Sequence, residues 1–266
     1  MTTTILLEAK ALSLSIGSVS ICRALNLTIE AGQSWGVLGP NGVGKTTLLR
    51  ALAGLQPVGQ GELRLGAKPL GKLSRRQVAR QLGMLSQHTD FVFEASCEET
   101  ALVGRHPHLG PWGRERQEDR RLARQALDCL GLDGLADRSC MQLSGGEKRR
   151  LAMARLLVQD PAVMLLDEPS NHLDPSHQIM ILDEVYRRVH QGQRAAIMAL
   201  HEINLASCYC SHILMLFGDG QWEAGPTAEL LEAGRLSRLY GCTMRLVDDG
   251  EQRVFAVAAR GRGASD

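Results

Sequence analysis

Residues Gly39 to Thr46 read G-P-N-G-V-G-K-T and fit the pattern G-x-x-x-x-G-K-[ST], a glycine loop whose backbone N–H groups cradle phosphates. An apolar run of strand length, Trp35 to Leu38, precedes the loop, and Thr47 to Leu52 follows it with helical spacing. Strand, glycine loop and helix in that order form the context the pattern needs. Gly39, Gly42 and Gly44 permit positive φ, so backbone N–H groups can approach an anion closely. Lys45 adds a full positive charge beside the helix N-terminus, and Thr46 offers a hydroxyl to Mg²⁺. Pro40, Asn41, Val43 and Thr47 complete the candidate phosphate contacts. A chance match to this pattern in a chain of such length is on the order of one in a hundred.

The 266 residues suffice for one large domain or two closely packed lobes. Thirty basic residues nearly cancel 29 acidic ones, leaving +1, so charge offers no footprint for nucleic acid or an anionic surface. No window approaches about 18 uninterrupted apolar residues, and Met1-Thr2-Thr3-Thr4 lacks the basic start of a secretory signal. A soluble protein is expected. Seven scattered cysteines build neither a disulfide framework nor a zinc site. Cys208-x-Cys210 and His106-x-His108 read as buried thiols and loop histidines, because neither pair has partners nearby in sequence.

Along the chain, period-two alternation in 11–16 and 25–29 predicts antiparallel sheet. A short strand is expected at 62–65, a helix at 74–82 and a buried strand at 83–86 ending at Gln87. From about residue 90 to 160 the pattern turns to charged amphipathic helix, clearest over 114–130 with Leu122, Ala126, Leu127 and Leu130 on one stripe. Apolar strands return at 163–166, 195–200 and 213–217, separated by helices, which implies a parallel sheet covered on both faces. The helical stretch is then an insertion. Runs 244–247 and 253–257 flank Asp248-Asp249-Gly250 as a hairpin, and 259–266 reads as a loose tail.

Two further motifs carry chemistry. Asp167 and Glu168 directly follow the buried run Met164-Leu165-Leu166, at the strand end where α/β sheets bind ligands. Neighbouring residues there point in different directions, so Asp167 can serve a Mg²⁺ shell while Glu168 polarises an attacking water. Leu143-Ser144-Gly145-Gly146-Glu147 opens a helix and offers a hydroxyl, free N–H groups and the favourable dipole end. In isolation that segment is simply a good helix cap.

With these motifs in this order, the chain resembles the nucleotide-binding subunit of an ATP-binding-cassette (ABC) transporter. The resemblance spans about residues 5–240. It implies a P-loop NTPase of α/β class: a RecA-like core with an antiparallel β subdomain and an inserted helical subdomain, over residues 1–240. A small hairpin at 241–258 then follows. Gln87 resembles the glutamine that touches Mg²⁺ or water and senses the membrane partner, and His201 resembles the switch histidine at the γ-phosphate. Ser170-Asn171-His172-Leu173-Asp174 resembles the D-loop of the dimer interface. The family usually stacks an aromatic residue on adenine; the aligned position here is Ile16, with no aromatic residue before Trp35, which leaves base specificity less tightly fixed.

The resemblance further implies ATP with Mg²⁺ as cofactors and a head-to-tail homodimer. In it Ser144, Gly145 and Gly146 of one subunit close on the Lys45 loop of the other. Catalytic roles fall to Glu168, Lys45, His201 and Gln87, and metal contacts to Thr46, Gln87 and Asp167. Two transmembrane permease subunits would hold the chain at the cytoplasmic face of the plasma membrane, with a separate substrate-binding protein and no nucleic acid. Val103-Gly104-Arg105-His106-Pro107-His108-Leu109-Gly110, Arg80-x5-Ser86-Gln87 and Asn171 to Asp174 look closest to the ATPases of importers for cobalamin, ferric siderophores and haem, with cobalamin or a ferric siderophore favoured. The alternatives are a non-transport ABC ATPase acting on ribosomes or DNA, and the ATPase of an exporter.

Overall fold

The computed structural model describes residues 4–87, 91–110, 113–171, 173–248, 250 and 253–258. It opens with a long hairpin, β1 (Ile5–Ile16) against β2 (Val19–Glu30). The buried side chains change phase along β1, from Leu7 and Ala9 to Leu12 and Leu14. A register shift between Ala9 and Leu12, with Ala11 at φ 46°, supplies the extra residue. The N–H groups freed there find side chains: Ala11 N donates to Asn26 Oδ1 at 2.9 Å and Ala24 N to Ser13 Oγ at 3.0 Å. This bulge is why the alternation in the sequence reads as separate short runs.

β3 (Ser34–Leu38) enters the core and leads through the glycine loop into α1 (Lys45–Leu52). β4 (Gln60–Leu65) and the two-residue β5 (Lys68–Pro69) return to the first hairpin, giving an antiparallel sheet of order β2-β1-β4-β5. Next come α2 (Arg75–Gln81) and β6 (Leu82–Leu85), then the helical stretch α3 (Cys97–Leu102), α4 (Gln117–Asp128) and α5 (Gly145–Gln159). β7 (Val163–Asp167), α6 (Pro175–Gln191), β8 (Ala195–Ala199), α7 (Ile203–Tyr209) and β9 (His212–Leu216) complete the alternation. The chain ends with β10 (Trp222–Pro226), α8 (Thr227–Leu230), α9 (Ala233–Tyr240) and the hairpin β11 (Met244–Asp248) with β12 (Arg253–Val257). Residues 259–266, expected as a loose tail, lie outside the described residues.

The central sheet has the order β10-β9-β3-β8-β7-β6, with every pair parallel except β10 against β9. β3, β7 and β8 are buried along their whole length, as strands covered on both faces must be, and read as unbroken apolar runs. Period two still sorts their side chains. Met164 and Leu166 face a core shared with α3, α4, α5 and α6, whereas Val163 and Leu165 face a second core closed by α1 and the antiparallel sheet. β10 has no apolar run to announce it; it is a half-exposed edge strand that ends at Pro226, opposite His212.

α4 starts at Gln117, three residues later than the amphipathic pattern suggests, because Asp119 reaches back and accepts from Arg116 N at 2.9 Å. The segment 103–110 acts as a staple. Arg105 Nε donates to Asp119 Oδ1 at 2.8 Å, and the Pro107 carbonyl accepts from Arg76 Nε at 3.0 Å and Arg80 Nε at 2.7 Å. Of the two cysteines expected to be buried, Cys208 is exposed, since residues two apart at the end of α7 fall on opposite faces. His108 Nε2 lies 2.8 Å from the Gln159 carbonyl, and Cys210 is buried, which pushes its thiol up to about 12. Both residues are thus used by the fold, and no metal-ligand cluster occurs among the described residues.

Candidate nucleotide site

β3 delivers the phosphate loop to the centre of the sheet edge. Gly44, the N-cap of α1, sits at φ 106°, and a Cβ there would lie 2.7 Å from Ile21. Gly39 has its own constraint: a Cβ would stand 2.6 Å from the Leu216 carbonyl oxygen. No side chain caps α1 and no acidic residue occupies its first turn, so its leading N–H groups remain open to an anion. Lys45 is 5% exposed, and its ammonium donates to the carbonyls of Gly39 at 2.7 Å and Pro40 at 3.1 Å. Burial lowers its pKa, against the opposing pull of Glu168 and Asp167.

Two carboxylates face the loop from the end of β7. Asp167 is buried, and its Oδ1 accepts from Thr46 Oγ1 at 3.0 Å, while Oδ2 is buried without a partner. Burial raises the Asp167 pKa despite that bond. An orphaned carboxylate oxygen beside a hydroxyl is a poor arrangement alone but suits Mg²⁺, which takes one or two carboxylates and fills its shell with water and phosphate oxygens. Glu168 adopts φ 52°, a left-handed conformation that costs a non-glycine residue on the order of 1–3 kcal/mol. The turn carries its side chain away from that of Asp167. Glu168 Oε2 accepts from Gln87 Nε2 at 2.9 Å and Asn171 Nδ2 at 2.7 Å, and Oε1 lies 2.5 Å from His201 Nε2. Burial pushes this carboxyl up, but the bonds from His201, Asn171 and Gln87 outweigh it and hold it below its ordinary value.

A cavity of about 440 Å³ lies here; Ile16, the loop from Asn41 to Thr47 except Val43, Gln87, Glu168, Asn171 and His201 line it. Ser144, Gly145 and Gly146 do not. They sit at the exposed start of α5, where Ser144 Oγ accepts from Glu147 N at 3.3 Å and donates to Glu147 Oε2 at 2.7 Å. Of the segment 170–174, Asn171 turns into this chain's own cavity, and His172 lies outside the described residues.

One residue escaped the sequence reading. Arg149, on α5, is 8% exposed, and its guanidinium donates to four backbone carbonyls at the ends of β6 and β7. The helical stripe through Leu151, Ala154 and Leu157 leaves Arg149 off the inward face, whereas α5 is buried on nearly every side. Its only sequence signal is its place in the cationic run Lys148-Arg149-Arg150 ahead of an apolar stretch. Asn171 carried a weaker signal, lying one turn beyond Glu168 in a Pro-Ser-Asn segment.

A glycine cradle, an uncapped helix end, a buried lysine and a strand-end carboxylate pair define a P-loop nucleotide-hydrolysing site. The ABC transporter family profile matches residues 22–171, and the chain belongs to that family. It is 33% identical over 258 residues, 97% of this chain and 95% of the relative, to the ferric enterobactin transport ATP-binding protein FepC of Escherichia coli K12. To the hemin import ATP-binding protein HmuV of Pseudomonas entomophila it is 39% identical over 241 residues, 89% of this chain and 92% of that one. A solved inward-facing structure described as a putative metal-chelate type ABC transporter superposes with a TM-score of 0.83 at 24% identity, covering 97% of this chain and 99% of that one. The fold is therefore that of the ABC ATP-hydrolysing cassette.

Proposed function

We propose that this chain is the ATP-binding and ATP-hydrolysing subunit that energises a membrane importer for a metal chelate, of the ferric siderophore or haem kind. The observation that carries the hydrolytic half is Glu168, held below its ordinary pKa by three donors across a cavity from an uncapped helix N-terminus and Lys45. The cargo class rests on the names of the relatives above. Of the two cargoes favoured from the motifs, ferric siderophore fits those names, as haem does, and cobalamin has no counterpart among them.

In this reading the phosphates lie along the loop, and Lys45 exchanges the Gly39 and Pro40 carbonyls for β/γ oxygens. Glu168 accepts a hydrogen bond from the attacking water, and His201, which already touches the Glu168 carboxylate, meets the γ-phosphate. Thr46, Asp167 and Gln87 would hold Mg²⁺, whose charge neutralises the phosphate oxygens when bound. Exposed Ile16 pairs with exposed Val19 at the tip of the first hairpin, forming an apolar platform at the cavity rim for the base.

Ser144 to Gly146 lie away from the cavity of their own chain, so they serve that of a second copy in a head-to-tail pair. Among the described residues no helix is long and apolar enough to cross a membrane, and two permease subunits supply that part. A groove of about 400 Å³ beside β6, lined by Leu55, Leu73, Val78 and Met84, lies one strand length from Gln87 and suits their cytoplasmic loops. The chain then sits at the cytoplasmic face of the plasma membrane, fed through a separate substrate-binding protein. A pull-down of tagged Glu168→Gln protein from native membranes with ATP tests this. A polytopic membrane protein with a metal-chelate-binding protein is the expected catch; ribosomal or DNA-repair factors alone would overturn the transport reading.

A further inference from the structure

Arg149 stands between two parts of the molecule with different tasks. Five residues N-terminal to it on the same helix is Ser144, which is exposed. The guanidinium itself is buried at the other side of the helix. Nη1 donates to the carbonyls of Ser86 and Gln87, the latter at 3.1 Å, and Nη2 to those of Asp167 at 2.5 Å and Glu168 at 2.6 Å. The bonded groups are all backbone oxygens; the buried cation is held by carbonyls, with the Asp167 and Glu168 charges acting on it from further away. Holding a cation that way is costly unless every bond is made.

What the arrangement provides is geometry. A guanidinium is a rigid planar fork that can bind two segments at once and fix the distance between them. Here one segment leaves β6 and the other ends β7. Those two segments carry the side chains that meet at 2.9 Å, Gln87 Nε2 on Glu168 Oε2. Glu168 also needs support for its left-handed backbone. Its N–H donates to the Ala199 carbonyl at 3.1 Å, and Arg149 holds its carbonyl from the opposite side.

We infer that Arg149 is a positioning residue of the hydrolytic centre: it holds Gln87 and Glu168 in register and ties that register to the position of the α5 N-terminus. A shift of Ser144 when a second copy docks is thereby delivered to the carboxylate of its own chain. The inference rests on the roles proposed above for Gln87 and Glu168.

Arg150 provides the control. It is equally buried at 8% exposure, but its Nη1 donates to the Leu130 and Gly131 carbonyls at 2.8 and 2.9 Å, at the end of α4 and outside the nucleotide cavity. The experiment measures kcat and KM for ATP, below the unfolding temperature, for Arg149→Lys, Arg149→Gln, Arg150→Lys and Glu168→Gln in the full chain assembled with its membrane subunits. An ammonium or an amide cannot span four carbonyls. Arg149→Lys and Arg149→Gln should therefore lower kcat by about 10- to 100-fold, the cost of roughly 1 Å of misplacement, with KM changed by no more than about twofold. Arg150→Lys should leave kcat within about twofold while lowering the unfolding temperature. Wild-type kcat in both Arg149 variants, or equal losses in Arg149→Lys and Arg150→Lys, overturns the inference. An inactive Glu168→Gln beside normal kcat in both Arg149 variants sinks this link alone; an active Glu168→Gln sinks the underlying site assignment.

Discussion

Glu168 shows how many constraints one residue can satisfy in this protein. Its φ of 52° is unfavourable, its side chain is 9% exposed, and both oxygens are engaged, by donors from two other segments and by Asn171 of its own turn. Each donor favours the ionised form, which is the form that can accept a proton from water. Replacing it with Gln keeps the shape and removes the proposed base. Glu168→Gln should retain ATP binding while hydrolysis falls by about 10²- to 10⁴-fold, read as single-turnover cleavage beside equilibrium binding. An ATP-dependent dimer on gel filtration is the accompanying sign. Lys45 and Asp167 were legible in the sequence because each lies in a motif of fixed spacing. Arg149 was not, since the carbonyls it binds lie 62 or more residues before it and 18 or 19 after it in the chain.

At the scale of elements, two helix N-termini that look alike in sequence have opposite conditions. α1 begins behind glycine with no capping side chain, and its open donors lie in the cavity. α5 begins with a complete capping box, so Ser144 satisfies its own helix and leaves Gly145 exposed beside it. The bland reading of that segment as a helix cap is thus correct within one chain, and the second role proposed for it would require another. Ser144→Arg tests this. Loss of the cap should cost about 1 kcal/mol in unfolding free energy, ATP binding to the single chain should persist, and turnover should vanish as the bulky cation blocks closure. Normal turnover would reduce the segment to a cap.

Strands were readable for a similar local reason. A buried parallel strand is an apolar run, and β3, β7 and β8 announce themselves. β10 does not, because Trp-Glu-Ala-Gly-Pro has neither a run nor alternation, and its place is set by pairing with β9. The bulge in β1 is equally silent: Lys10-Ala11 looks like ordinary strand, and only the partner strands reveal that one residue is extra.

For the whole molecule, the central sheet separates two cores and brings the ends of β3, β6, β7 and β8 to one side. The nucleotide cavity and the groove proposed for docking are then close neighbours, joined through β6 and its trailing Gln87. Leu55 on the groove wall is 57% exposed, more than an internal role requires. Leu55→Asp should change the unfolding free energy by no more than about 0.5 kcal/mol and leave ATP binding intact. Recovery of the permease in a pull-down should nevertheless fall, because a charge cannot be buried against an apolar loop. Unchanged recovery would move the docking surface elsewhere.

The phosphate loop, the strand-end carboxylates and the layered α/β plan were legible in the order of residues, since each is written in short spacings that local sterics and periodicity translate directly. Gln87 and His201 were picked out only through the family resemblance, and the structure brings both to Glu168 from 81 and 33 residues away. Only the tertiary structure decided that Arg149 joins β6 to β7, that Asn171 turns inward, and that Ser144 stays outside its own site. Those outcomes depend on which segments the sheet order makes neighbours, and hydrogen bonds to backbone carbonyls carry no mark in the side chains they choose.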